Sequence, residues 1–213
     1  MEQLSGANYS TKKKNSCTFV SRIKMKRKIK KIVQRPWELL TSTPATWDKI
    51  ASVKISKNEV RNRFVFPWIM VCVLVTFIFK SLYSPNKSIE TGFINSIIST
   101  VTLFGAYFLS KAVCFWYLRK HYQEKYSVVI AEIIVGYSFT ATFTIEIITT
   151  ILPGLFYLQI LNIYTAYLIW EACRAILQLN EEERGNIVLV FTSTIILSPL
   201  IINKIIHLML PNA

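Results

Sequence analysis

The sequence predicts an all-α, polytopic membrane protein with five transmembrane helices and short interfacial helices before them. Three observations predict this fold class: an apolar composition, five long apolar runs and a strongly basic N-terminal part. Hydrophobic residues make up 52% of the chain and charged residues only 17%, whereas a soluble domain carries roughly 25% charged residues. The chain is therefore too apolar for an ordinary soluble domain.

Five apolar runs are long enough to cross a bilayer, because a helix needs about 20 residues to span roughly 30 Å of hydrocarbon. The third and fourth runs are separated only by Pro153 and Gly154, which are typical of a tight turn. One unbroken helix of their joint length would overshoot any bilayer, so we expect a helical hairpin. The predicted spans cover residues 64–83, 93–118, 126–152, 155–179 and 187–210.

The positive charge is concentrated before the first span. Residues 1–63 hold 16 of the 25 Lys and Arg residues and 4 of the 12 acidic residues, whereas the rest holds 9 basic and 8 acidic residues. A basic segment beside a membrane domain indicates an anionic lipid surface as its partner. The chain carries no nucleic-acid motif, so we expect no nucleic-acid partner.

Three domains follow from this distribution. Residues 1–24 are polar and too poor in apolar side chains to fold, which predicts a disordered basic tail that is dispensable. Residues 25–63 form a basic amphipathic, interfacial segment, and residues 64–213 form the transmembrane domain. We expect the functional unit to begin at Met25, whereas the sequence leaves open whether Met1 or Met25 is the true start.

The interfacial segment contains signals for two short helices. Apolar residues recur at helical spacing between residues 25 and 40, and Pro36 should break that helix so that residues 37–41 form a separate turn. Thr43 as N-cap and Pro44 at the first helical position predict a second helix ending near Ser52.

Lysine and arginine residues in the short loops predict the orientation. With the N-terminus in the cytoplasm, 21 of these residues fall on the cytoplasmic side and 3 outside, with Lys111 set aside as intramembrane. This count predicts a cytoplasmic N-terminus and a C-terminus outside.

Charged residues within the spans predict two layers, one near each face, and each layer contains both signs. One interpretation is a polar pathway or ligand cavity. The other, which we favour, is that the long side chains reach the interface or pair with each other. The first layer holds Lys111, Glu132 and Glu171, and the second holds Lys80, Glu146 and Lys204.

Residues for catalysis or metal binding are scarce. The only histidines, His121 and His207, belong near opposite faces, and Asp48 is the only aspartate. The four cysteines are widely spaced without a CxxC pair. We therefore expect no catalytic residue, no metal, no cofactor and no enzymatic activity.

Several short motifs resemble the Yip (Ypt-interacting protein) family of five-span membrane proteins, specifically its bacterial members, over about residues 26–210. They are the stretch 42–50 (STPATWDKI), Phe66-Pro67 early in the first span, Gly136-Tyr137-Ser138 and Leu152-Pro153. Tyr164, Tyr167, Trp170, Glu171 and the stretch 182–184 (EER) resemble the family's fourth span and the following loop.

The resemblance to the bacterial members implies a bacterial inner (cytoplasmic) membrane. Eukaryotic members engage small GTPases and support vesicle traffic, with no known catalysis, so the resemblance also implies no enzymatic activity. Tyr137, Pro153, Tyr167 and Glu171 are carried over only as motif positions. The expected function is a non-enzymatic scaffold or membrane-organising protein with membrane or cytoplasmic protein partners or a second copy of itself. The alternative is a small permease or channel that uses the intramembrane charges.

Overall fold

The structure is a computed structural model that describes residues 37–52, 57–83, 88–122 and 128–209. The predicted tail and the amphipathic segment up to residue 36 lie outside these ranges. From Glu38 onward the chain forms one compact unit. The described residues are helical almost throughout and contain no strand.

Five helices are long and apolar enough to cross a membrane, as predicted. The first, second and fifth begin four to six residues before the predicted limits, because polar residues extend these helices beyond the apolar run. The ends of the third and fourth lie within two residues of the predicted limits. A short helix, α1, precedes them at Thr43–Ser52. The long helices are α2 (Asn58–Tyr83), α3 (Ile89–Tyr122), α4 (Val128–Ile151), α5 (Pro153–Leu177) and α6 (Glu181–Met209).

The predicted start of α1 is wrong in one respect. Residues 37–41 are helical and α1 follows directly, with the Ser42 carbonyl accepting the first bond from the Thr46 amide at 3.1 Å. Thr43 therefore lies inside the helix and is not its N-cap. Its hydroxyl donates to the Leu39 carbonyl at 2.6 Å, so it joins α1 to the preceding helical turn.

The chain turns between α4 and α5 at Leu152, whose backbone (φ −125°, ψ 79°) leaves the helical region. Pro153 then begins a 3-10 stretch, Pro153–Ile163, which packs against α4. An α-helical part, Tyr164–Ala172, and a π turn, Cys173–Leu177, complete α5. The turn lies where the sequence predicts it, but the three helical geometries within α5 were not predicted.

Helix α4 is the centre of the bundle. Within its most apolar stretch 72% of the residues are buried, against 22% in α2 and in α6. Gly136 permits a close approach to α2, because an added Cβ would lie 2.7 Å from a methyl carbon of Val60.

The consecutive helices alternate in direction, so the bundle has two ends. We name the end that contains α1 and the last turn of α5 the α1 end. We name the end that contains Leu152 the hairpin end.

Candidate functional site

Helix α1 is held against the bundle at the α1 end by a group of contacts that we name the α1 anchor. Trp47 is completely buried, and its ring meets the Tyr137 ring edge-on at a centroid distance of 6.0 Å. Tyr137 in turn packs on Phe64 of α2 at 4.6 Å. The α1 anchor comprises Thr43, Trp47, Asp48, Tyr137, Tyr164 and Arg174.

Hydrogen bonds and ion pairs complete the α1 anchor. The Tyr164 hydroxyl donates to the Leu40 carbonyl at 3.0 Å and lies 3.0 Å from the Thr43 hydroxyl. Arg174 donates to Asp48 at 3.1 Å and to Glu171 at 2.8 Å. Since Asp48 and Arg174 are partly exposed, this ion pair orients α1 more than it stabilises it. The anchor thus links the stretch 42–50 to the third and fourth spans.

A buried ion pair lies deeper at the same end, between α3 and α4. Lys111 Nζ is 3.8 Å from a carboxylate oxygen of Glu132, whose side chain is 1% exposed. The Tyr107 hydroxyl donates to the other oxygen at 3.1 Å. Lys111 also lies over the Phe108 ring at 5.2 Å, a cation–π contact. This arrangement satisfies both charges within the protein.

An aromatic layer separates this pair from the opposite end. Tyr107, Phe139 and Phe143 are all buried. The Phe139 ring lies 6.1 Å from Tyr107 and 5.5 Å from Phe143. These side chains fill the centre of the bundle between Glu132 and Glu146.

A cavity of about 550 Å³ lies at the hairpin end, and we name it the polar cavity. All five long helices contribute to its wall. Twelve of its eighteen lining residues are polar or charged, which is unusual inside an apolar bundle. They are Thr76, Lys80, Asn95, Ser99, Thr102, Thr142, Glu146, Thr149, Thr150, Gln159, Asn162 and Asn203.

Five of these lining residues carry a buried oxygen atom with no hydrogen-bond partner among the described residues. Such atoms are uncommon because a buried polar group without a partner destabilises the folded state. They are the hydroxyls of Thr76, Ser99, Thr102 and Thr142 and the side-chain oxygen of Asn162.

The two charges in the wall of the polar cavity do not form an ion pair with each other, although the charge of Lys80 acts on Glu146. Glu146 is partly buried and Lys80 is exposed, and within the described ranges neither forms an ion pair. Lys204, the third charge of the predicted layer, is exposed and does not line the cavity. The structure therefore brings Lys80 and Glu146 together in one cavity and leaves Lys204 outside it.

The four motif positions lie in different surroundings. Tyr137 and Glu171 belong to the α1 anchor or contact it, as described above. Tyr167 is 41% exposed and stacks at 5.5 Å on Tyr164. Pro153 is exposed at the first position of α5. These four residues do not meet in a single site.

Sequence reasoning missed the hydroxyl and amide residues of the polar cavity. A signal was present, because Asn95, Ser99 and Thr102 recur at three- and four-residue steps within an apolar run. Glu146 likewise lies four residues from Thr142 and four from Thr150. This spacing places polar side chains on one face of each helix.

Within the described ranges no group of three or more His, Cys, Asp or Glu residues could hold a metal ion. The arrangement can bind a ligand through hydrogen bonds and two separated charges.

Comparison with known proteins gives one match. The family model of the Yip1 domain matches residues 37–202, which include α1 and nearly all of the five long helices. No curated protein and no solved structure matches the chain.

Proposed function

We propose that this chain, which belongs to the Yip1 domain family of multi-pass membrane proteins, is a non-enzymatic scaffold that organises a membrane and its protein partners. Its five long helices anchor it in the bilayer. The segment before α1 binds anionic lipid, and the surface around α1 binds a cytoplasmic protein partner. The bacterial branch of the family is part of this proposal.

The single observation that carries the proposal is the α1 anchor. An interfacial helix that was only tethered by its chain would lose considerable conformational freedom on binding a partner. Trp47 is instead fully buried against Tyr137, and Asp48 reaches Arg174. The exposed face of α1 is therefore preorganised relative to the membrane domain, as a binding surface requires.

The basic segment supports a lipid-binding role, since each Lys or Arg near an anionic surface contributes on the order of 1 kcal/mol before salt screening. A peptide of residues 24–40 should bind anionic vesicles more tightly than neutral vesicles, and salt should weaken the binding. Equal binding to both vesicles without salt dependence would contradict this role.

The proposed orientation places the N-terminus in the cytoplasm of a bacterial cell and the C-terminus outside its inner membrane. The 21 to 3 distribution of Lys and Arg supports it. In a cysteine-labelling scan, positions near His121 and Glu182 should react only from the cytoplasm. Labelling of position Asn86 from that side would contradict the orientation.

The proposed scaffold function is tested by affinity capture from membranes solubilised in a mild detergent. Partners recovered with the full chain should be lost with Trp47→Ala, which releases α1, and kept with Trp116→Ala. Trp116 is the matched control because its side chain is 61% exposed. Equal recovery of the same partners with both variants would contradict a binding surface at α1.

A small permease is the second candidate, and the polar cavity favours it. Two observations weigh against it. Glu132 is already paired with Lys111, and buried aromatic side chains lie between Glu132 and Glu146. Flux measured in proteoliposomes, with Glu132 and Glu146 neutralised singly, separates the two functions. Transport that depends on both charges would contradict the scaffold function and support the permease function.

A further inference from the structure

The polar cavity has the features of a binding site for which the chain supplies no occupant. Twelve of the eighteen residues in its wall are polar or charged. Lys80 and Glu146 also line it without forming an ion pair in the described part of the chain. A polar, charged space inside an apolar bundle indicates a polar ligand.

The size of the polar cavity restricts the ligand. At about 550 Å³ it is far larger than a single ion or water molecule requires. It lies within the range of roughly 300–1,000 Å³ that is typical of small-molecule sites. A small organic molecule or a lipid head group fits this space.

The two charges determine the chemical class. A carboxylate accepts hydrogen bonds from a primary ammonium group, and a lysine ammonium donates to phosphate or carboxylate oxygens. We propose that the polar cavity binds a zwitterion that carries a primary ammonium and a phosphate. Its ammonium would lie on Glu146 and its phosphate on Lys80. Thr150 and Asn203, which also line the cavity, would supply further hydrogen bonds.

The depth of the two charges sets the orientation of this ligand. Lys80 is exposed, so it lies at the rim, whereas Glu146 is partly buried. Glu146 lies five residues before the end of α4, or about 8 Å below it at 1.5 Å per residue. The phosphate therefore lies at the mouth of the cavity and the ammonium lies deeper.

Two sources carry these two groups. In a bilayer the ammonium of an aminophospholipid head group lies nearer the aqueous phase and its phosphate nearer the hydrocarbon. This is the reverse of the depth order of Lys80 and Glu146, so we expect the soluble source to fit better. Soluble phosphoethanolamine carries the same two groups. The site is independent of the proposed scaffold, because the α1 anchor lies at the other end of the bundle.

The test uses the full chain reconstituted in phosphatidylcholine nanodiscs, with thermal unfolding as the readout. A ligand that binds only the folded state raises the melting temperature. Soluble phosphoethanolamine is the first probe, and discs containing phosphatidylethanolamine are the second. Phosphocholine is the control probe, since its quaternary ammonium has no N–H to donate to Glu146.

The expected result is a rise in melting temperature with phosphoethanolamine or phosphatidylethanolamine and little or none with phosphocholine or inorganic phosphate. A response confined to the lipid identifies a head-group site, and a response to the soluble probe identifies a soluble zwitterion. Either response supports the proposal. No response to either probe would overturn it.

Variants assign the response to the polar cavity. Glu146→Gln and Lys80→Gln should each weaken binding of the responding probe at least tenfold, corresponding to 1.4 kcal/mol. Glu90→Gln and Lys204→Gln are the matched controls, because both side chains are exposed and lie outside the cavity wall. Unchanged affinity in both cavity variants would overturn the proposal.

A conservative variant covers the case in which a charge-neutralised chain fails to fold. Thr150→Val keeps the side-chain shape and removes one hydroxyl of the cavity wall. It should fold and bind the responding probe more weakly than the unsubstituted chain does. Binding unaffected by this variant would contradict the site.

Discussion

Both ends of the bundle contain lysine or arginine and acidic residues, but among the described residues these form ion pairs at one end and not at the other. At the α1 end, Lys111 is paired with Glu132, and Arg174 is paired with both Asp48 and Glu171. At the hairpin end, Lys80 and Glu146 share a cavity without pairing in the described part of the chain. The comparison teaches that an intramembrane charge indicates function only when the protein itself does not satisfy it.

The largest expected effect comes from breaking the buried pair. Lys111→Met leaves the Glu132 carboxylate buried with the Tyr107 hydroxyl as its remaining partner among the described residues. It should lower the free energy of unfolding by about 3–5 kcal/mol. Lys80→Met, at the hairpin end, should cost less than about 1 kcal/mol. Unfolding in a denaturing detergent measures the loss of stability in both variants. Equal losses would contradict the proposed difference in ion pairing between the two ends.

The next effect concerns aromatic packing at the two ends. Trp47→Ala removes a fully buried side chain and should destabilise α1 docking by about 3 kcal/mol. Phe156→Ala, at the hairpin end, removes a side chain that is 73% exposed and should change stability little. Hydrogen exchange should accelerate throughout α1 only in the first variant. Unchanged protection of α1 in Trp47→Ala would show that the α1 anchor does not hold this helix.

The ends of α5 differ in backbone conformation. Gln178 adopts a left-handed conformation with φ 51°, which costs a non-glycine residue roughly 1 kcal/mol. Gln178→Gly should therefore raise the free energy of unfolding by up to about 1 kcal/mol. Leu152 has φ −125°, so Leu152→Gly should be neutral or destabilising. Stabilisation by both substitutions would point to a general effect of glycine.

The smallest effect is expected at the partly exposed ion pair. Asp48→Asn should lower stability by only about 0.5 kcal/mol, because solvent screens the attraction of Arg174. High salt should remove most of the difference from the unsubstituted chain. Glu90→Gln, which breaks no ion pair in the described ranges, serves as the control. A loss above about 2 kcal/mol for Asp48→Asn would mean that this pair is a principal contact of the α1 anchor.

The number and position of the long helices could be predicted because crossing a bilayer sets a minimum apolar length. The turn at Pro153 was predictable for a similar reason, since proline and glycine interrupt a helix locally. Both predictions depend on signals contained within a short stretch of sequence.

The contacts between helices could not be predicted, because they join residues far apart in the chain. Asp48 and Arg174 are 126 positions apart, and nothing in either local sequence specifies their pairing. The polar cavity depends on the rotation of five helices about their axes, which determines whether Thr76 or Ser99 faces a neighbour or lipid. The mixed geometry of α5 likewise depends on packing against α4.

The most direct test of the contrast between the ends neutralises one carboxylate at each end of α4. Glu132→Gln removes the ion-pair partner of Lys111, whereas Glu146→Gln removes a charge that forms no ion pair in the described ranges. Unfolding in a denaturing detergent, without added zwitterion, should show a loss of about 2 kcal/mol for Glu132→Gln. It should show no loss, or a gain of up to about 1 kcal/mol, for Glu146→Gln. Equal destabilisation by both substitutions would contradict the account.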